Sequence, residues 1–269
     1  MSELTSIQKA DQPRTRESLA CDLRKLGLAP GMNVLVHSSL GSLGWVCGGA
    51  VTVIQALLDV ITHIGTVMVP AFSGDYSDPA DWCNPPVPPD WIPIIKAAMP
   101  AFQPDITPTR NVGKIPETFR KLPRVFRSSH PAVSFAALGN YARYLTGNHK
   151  LEYSLGEGSP LARLYELDGC VLMLGTEYHT NTSFHLAEAR TPGIVHKTNG
   201  APLLVNGETI WQEFEDFDYD TDSFPDVGRD FEQRCPVKHG TVGSANCRLF
   251  RQRVAVDFAV EWLKGISNK

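Results

Sequence analysis

Long apolar runs are missing from this sequence: no stretch of about 18 or more uninterrupted hydrophobic residues occurs in its 269 residues. The start, Met1 to Arg16, is polar with mixed charges. The first absence argues against a membrane span and the second against a secretory signal, so the chain is expected to be cytoplasmic. Net charge is also scarce, −4 from 25 Lys and Arg against 29 Asp and Glu. A surface that coats nucleic acid needs a basic face, so nucleic-acid binding is not expected. Closely spaced cysteine pairs are absent too. Cys21, Cys47, Cys83, Cys170, Cys235 and Cys247 lie far apart with no C-x-x-C, which disfavours zinc knuckles and dithiol redox chemistry. They read as reduced thiols, mostly in the core, and neither repeats nor low-complexity tracts occur.

What is present is the composition of a globular protein, 42% hydrophobic and 20% charged, in a chain long enough to bury a large core. Residues 1–16 read as a flexible N-terminal arm and 17–269 as one domain. Glu17 to Leu26 carries Leu19, Leu23 and Leu26 at helical spacing and stops at Gly27. Asn33 to His37 is a buried strand, Gly49 to Thr62 a helix and Thr66 to Pro70 a second strand, which is a βαβ signature. Strands are also expected over Ala132 to Leu138, Cys170 to Leu174 and Asn246 to Phe250. Further helices are expected from Ser159-Pro160 to Leu167, over Thr182 to Glu188 and over Arg253 to Lys264. Leu203 to Trp211 is a hairpin turning at Asn206-Gly207. Residues 73–109 are punctuated by proline and aspartate and interleaved with aromatics, which predicts an ordered loop walling a pocket. Together these elements predict a single mixed α/β domain.

Three features could carry chemistry. His37-Ser38-Ser39 ends a strand, and Gly41 and Gly48-Gly49 follow, an arrangement that offers free N–H groups to an anion or makes a plain capped turn. Thr182-Ser183-x-His185-x-x-Glu188 puts His185 and Glu188 on one helical face, with Glu177 and His179 just upstream. His185 could be a general base, half of a metal site or a structural hydrogen-bonding group. Charge is also segregated: Arg110, Lys114, Arg120, Lys121, Arg124 and Arg127 oppose only Glu117, a balance of +5, whereas residues 213–232 carry −8. Such runs are either solvated faces or paired patches for a polyphosphate donor and a cationic acceptor.

Leu35-Val36-His37-Ser38-Ser39-Leu40, Gly48-Gly49-Ala50, Gly65-Thr66-Val67-Met68, Arg127-Ser128-Ser129-His130-Pro131, Leu155-Gly156-Glu157-Gly158-Ser159-Pro160, Leu174-Gly175 and Thr182 to Glu188 occur in register from about residue 17 to the last helix. In these motifs the sequence resembles the aminoglycoside 3-N-acetyltransferase family. The resemblance implies that family's α/β architecture, distinct from the GNAT fold, and an acyltransferase of bacterial antibiotic resistance or biosynthesis. It implies acetyl-CoA as cosubstrate, a small amine as acceptor and no metal. It makes His185 the general base, oriented by Asp216 as first choice or Glu215 as second. Ser38, Ser39, Leu40, Gly41, Arg127, Ser128, Thr182 and Ser183 fall where the family binds coenzyme A, and Asp75 and Glu188 where it meets the acceptor. The Pro-rich stretch Asp78 to Pro93 departs from the resistance enzymes, which points to a divergent branch with another amine. The competing readings are a metal-dependent hydrolase built on Glu177, His179, His185 and Glu188, and a non-catalytic coenzyme A or nucleotide sensor. The hairpin and exposed aromatics are compatible with a homodimer.

Overall fold

The computed structural model describes residues 11–267 together with Leu4, Ile7 and Gln8. Part of the expected arm, residues 1–3, 5, 6, 9 and 10, therefore lies outside the described residues. Its last part is built into the domain: Arg14 makes a parallel bridge with Val46, and Thr15 caps the helix Arg16–Leu26 in a reciprocal pair with Ser18. That helix stops at Gly27, whose φ of 108° lets its N–H and that of Leu28 turn back onto the last helical carbonyls.

A seven-stranded mixed sheet forms the middle layer, in the order β3-β4-β2-β1-β5-β9-β8. Its members are β1 (Asn33–Ser38), β2 (Thr66–Pro70), β3 (Phe126–Arg127), β4 (Phe135–Gly139), β5 (Cys170–Leu174), β8 (Lys238–Val242) and β9 (Ala245–Arg251). The hairpin β6 (His196–Val205) and β7 (Glu208–Phe217) forms a separate two-stranded sheet and turns at Asn206-Gly207, both with positive φ. Side chains of the central strands alternate between two cores. Val34, Val36, Val67, Val69, Leu172 and Leu174 pack under the helices Arg16–Leu26 and Gly49–Ile61. Leu35, Met68, Val171 and Met173 face the helices Pro160–Glu166, Ser183–Arg190 and Phe224–Arg234 and the terminal helix Gln252–Ser267.

β1 lies between β2 and β5, parallel to both. The chain leaves β1 for the helix Gly49–Ile61 on one side of the sheet, while the chain after β5 enters Ser183–Arg190 on the other. Loops part at such a point, and a crevice opens beyond the carboxyl ends of the strands. Residues 73–109 do not wall it. They form short 3-10 turns and the helix Ile92–Ala98, laid against the hairpin with Lys96 over the Trp211 ring at 5.1 Å and Phe102 N–H donating to Pro202 O at 3.2 Å.

Four histidines, His37, His130, His149 and His185, are buried. Burial pushes the imidazole of His37 down to about 3 and that of His149 to about 4, and it holds His130 well below the usual value. Unfolded histidines take a proton near pH 6.5, so acid favours the unfolded chain from about pH 6.5 downward. Stability is expected to be flat above that pH and to fall by up to roughly 1.4 kcal/mol per pH unit for each of His37, His130 and His149 between about pH 6 and 4. Urea unfolding at pH 7.5, 6.5 and 5.5 checks this. Equal unfolding free energies at all three would contradict it.

Candidate active site

The crevice at the ends of β1 and β5 is a cleft of about 940 Å³. The end of β1 and the turn that follows it, His37 to Ser42, line it, with Trp45 and Val46 beyond. Asn111 to Lys114 form part of the wall, and Thr176, His179, Thr182, His185 and Thr221 complete it. Backbone pairing secures the turn after β1: the Ser39 N–H donates to Leu174 O at 3.0 Å, and the Ser42 hydroxyl reaches both Ser39 Oγ, at 2.8 Å, and Gly175 O, at 2.9 Å. Ser38 Oγ is buried and has no hydrogen-bond partner among the described residues. A buried hydroxyl without a partner is costly, and one in a cleft wall is satisfied by a polar ligand.

His185 stands on the first turn of Ser183–Arg190. Its Nδ1 lies 2.6 Å from Glu188 Oε2, one helical turn away on the same face. The other oxygen of Glu188 accepts the Asp220 N–H at 3.2 Å. A carboxylate has no hydrogen to give, so Nδ1 donates, and Nε2 is left as the ring's acceptor when the imidazole is neutral. Tyr219 and Phe224 flank the ring at centroid distances of 5.1 and 4.8 Å and restrict its rotation. His37 Nε2 lies 3.4 Å from Thr182 Oγ1. Desolvation and the neighbouring His185 hold the His37 imidazole well below its usual value, so His37 is not suited to the role of base.

Several of the expected site residues are not brought to the cleft or to His185 in this structure. Asp216 does not meet His185. It is buried, its carboxylate accepts the Ser154 N–H at 2.9 Å, the Ser154 hydroxyl at 2.8 Å and the Phe217 N–H at 2.9 Å, and burial raises its pKa. Glu215 is exposed on the other face of β7, as the two-residue side-chain period of a strand requires. Arg127 does not line the cleft. Its guanidinium donates to Ala71 O, Pro104 O, Thr107 O, Ser73 Oγ and Ser134 Oγ, so it fastens the Pro-rich segment to the sheet, and burial lowers its pKa to about 10. Ser128 is likewise committed, donating to His149 Nδ1 and accepting from the Phe135 N–H, both at 2.9 Å. Ser183 is fully buried and absent from the cleft wall. Asp75 is ion-paired with Arg110 and lies outside the lining.

Ser38, Ser39, Leu40, Gly41 and Thr182 do line the cleft together with His185. Glu188, expected beside the acceptor, is spent on the imidazole and the backbone. The four residues weighed as a metal set do not converge: Glu177 pairs with Arg248 at 3.0 Å and Glu188 with His185. The sequence reading overlooked Lys114, a cleft-lining cation whose signal was its place in the basic segment beside Gly113, and Thr221, hidden among acids.

The model of the aminoglycoside 3-N-acetyltransferase family matches residues 35–264. The chain is 48% identical to the SPbeta prophage-derived aminoglycoside N(3')-acetyltransferase-like protein YokD of Bacillus subtilis, over 98% of this chain and 97% of that one. It is 39% identical to aminoglycoside N(3)-acetyltransferase VII of Streptomyces paromomycinus, over 98% and 96% of the two chains. The solved structure of AAC-IIIb in binary complex with CoASH superposes with a TM-score of 0.85 at 35% identity, covering 95% of this chain and 98% of the other.

Proposed function

The chain belongs to the aminoglycoside 3-N-acetyltransferase family, and from that premise we propose that it moves an acetyl group from acetyl-CoA directly to the amine of a cationic small molecule, with His185 as general base and Glu188 as its orienting carboxylate. The observation that carries this reading is the 2.6 Å contact between His185 Nδ1 and Glu188 in the wall of a cleft at the sheet's switch point.

The donor fits the residues present. A volume of about 940 Å³ is ample for the pantetheine arm, and the unpartnered Ser38 hydroxyl can bond one of its amides. When bound, acetyl-CoA supplies the acetyl group and departs as the thiol. Nε2 of His185 receives the proton of the attacking amine as the N–C bond forms and returns it to the sulfur as the C–S bond breaks. Glu188 fixes the tautomer and stabilises the imidazolium in between. Transfer of this kind uses no nucleophilic side chain: no cysteine lines the cleft, Cys170 and Cys247 are buried and held as thiols, and Cys21, Cys47 and Cys83 are exposed rather than in the core.

Negative charge marks the acceptor end of the cleft. Thr221 lines it, and around it Asp218, Asp220 and Asp222 stand exposed on the loop that also supplies the backbone N–H held by Glu188. Carboxylates around a mouth draw in polyamines and raise their local concentration. The defining experiment is thiol release from acetyl-CoA against a panel of aminoglycosides and biosynthetic amines, with mass spectrometry of the product. Amine-dependent release with an N-acetylated product is expected. Release independent of amine, or none with any cationic amine, would overturn the assignment.

A further inference from the structure

His185 and Glu188 share one helix, yet two of the contacts that hold them come from the segment that follows β7. The Tyr219 ring meets the His185 imidazole edge to face at 5.1 Å, and the next backbone N–H, of Asp220, donates to Glu188 Oε1 at 3.2 Å. β7 ends at Phe217, so its ladder with β6 does not set the course of these two residues.

The segment 153–155 does so instead. Its three successive backbone N–H groups donate to residues 215–219: Tyr153 to Glu215 O at 3.0 Å, Ser154 to Asp216 Oδ1 at 2.9 Å and Leu155 to the Tyr219 hydroxyl oxygen at 3.1 Å. The first two acceptors belong to residues already fixed in the ladder, and the third lies beyond it. Burial and the nearby Asp216 raise the Tyr219 pKa, so the oxygen that accepts is a neutral hydroxyl. The donor side is itself fixed: Leu155 is buried in the core, and Ser154 O lies 2.7 Å from Nε2 of the buried His149. Pinned at its tip and flanked by Phe217 at 5.9 Å, the Tyr219 ring is kept against His185. Tyr219 does not line the cleft, so any effect it has on the reaction passes through the imidazole and its carboxylate.

We propose that Tyr219 is a positioning residue for the base: anchored by the Leu155 N–H, it braces the imidazole from the side and sets the Asp220 N–H on Glu188, so that His185 keeps its proton on Nδ1. This rests on the reading of His185 as base and names the residue outside its helix that keeps it competent. Tyr219→Phe retains the ring and removes only the anchor.

One of the two tests does not depend on turnover. In long-range proton–nitrogen NMR spectra of protein carrying nitrogen-15 histidine at pH 9, assigned with His185→Gln, the wild-type ring should report the Nδ1–H tautomer. In Tyr219→Phe its two nitrogen shifts should move toward each other as the second tautomer becomes populated. In steady state, Tyr219→Phe is expected to lower kcat about tenfold, within what a displaced group costs, with KM for acetyl-CoA and for the amine unchanged. In the His185→Ala background it should cost nothing further, because a positioning residue acts only through the group it positions. Wild-type nitrogen shifts in Tyr219→Phe, shown to be folded by its melting curve, would overturn the proposal. So would the same kcat loss in both backgrounds, or a raised KM with kcat unchanged, which marks a direct contact with substrate. If the shifts move as expected but the wild type acetylates no amine, the acetyl-transfer reading fails and the positioning role stands.

Discussion

Replacing His185 with alanine is expected to lower kcat for acetyl transfer by about 10²–10⁴-fold, the range general-base catalysis supplies, while coenzyme A binds much as before. His185 is held by Glu188 and makes no hydrogen bond to the serine turn among the described residues, so its removal takes away the proton acceptor and leaves the serine turn in place. The ring also packs on Tyr219 and Phe224, so alanine opens space at the cleft edge. His185→Gln fills most of that space without a usable base and should lose a comparable factor. Steady-state rates of thiol release, with calorimetric coenzyme A affinity and a melting curve for each variant, check this. Wild-type turnover by either folded variant would end the assignment of His185 as base.

Glu188→Gln is expected to cost about 10²-fold or more in kcat with little change in acceptor KM, by analogy with the loss when a catalytic histidine's carboxylate is amidated. The amide's N–H₂ can donate to Nδ1, which places the ring proton on Nε2 and removes the lone pair the amine needs. Asp216→Asn should behave differently. That carboxylate holds the Ser154 backbone and hydroxyl, and Ser154 O in turn lies 2.7 Å from His149 Nε2, so the substitution disturbs a buried network that makes no hydrogen bond to His185. Its expected effect is a stability loss of about 1–3 kcal/mol with kcat close to wild type. Rate constants and urea midpoints measured on both variants separate the roles. The reverse pattern, a rate loss in Asp216→Asn and none in Glu188→Gln, would return the orienting role to Asp216.

Much of the framework was legible in the residues because local preference and tertiary demand agree there. β2 and β5 fall at their expected limits because continuous apolar β-branched and aliphatic runs suit strands buried on both faces. The hairpin turn was marked by Asn206-Gly207, yet its strands run on to His196 and Phe217, where exposed and charged positions erase any alternation. β8 was missed because Lys238, His239 and Gly240 make a polar edge strand, and edges need no apolar face. The helix Phe224–Arg234 was hidden by its acids, although Phe224, Val227 and Phe231 keep a helical spacing into the core.

The site was legible in part for a related reason. The (i, i+3) spacing of His185 and Glu188 was visible and is the pairing observed, but the family resemblance moved the orienting role to a distant acid. No linear pattern tells that Asp216 meets Ser154, 62 positions away, or that Arg127 is enclosed by carbonyls from residues 71, 104 and 107. Such commitments consume a side chain's hydrogen-bonding capacity, and only the folded chain shows which side chains are left over.

Whether His185 and Glu188 act as one unit is tested most directly by the kcat of the double variant His185→Ala/Glu188→Gln, set against His185→Ala alone. Once the imidazole is gone its orienting carboxylate has nothing to act through, so the two rates should coincide. A further drop in the double variant equal to the factor that Glu188→Gln costs in the wild-type background would show two independent contributions and contradict the dyad.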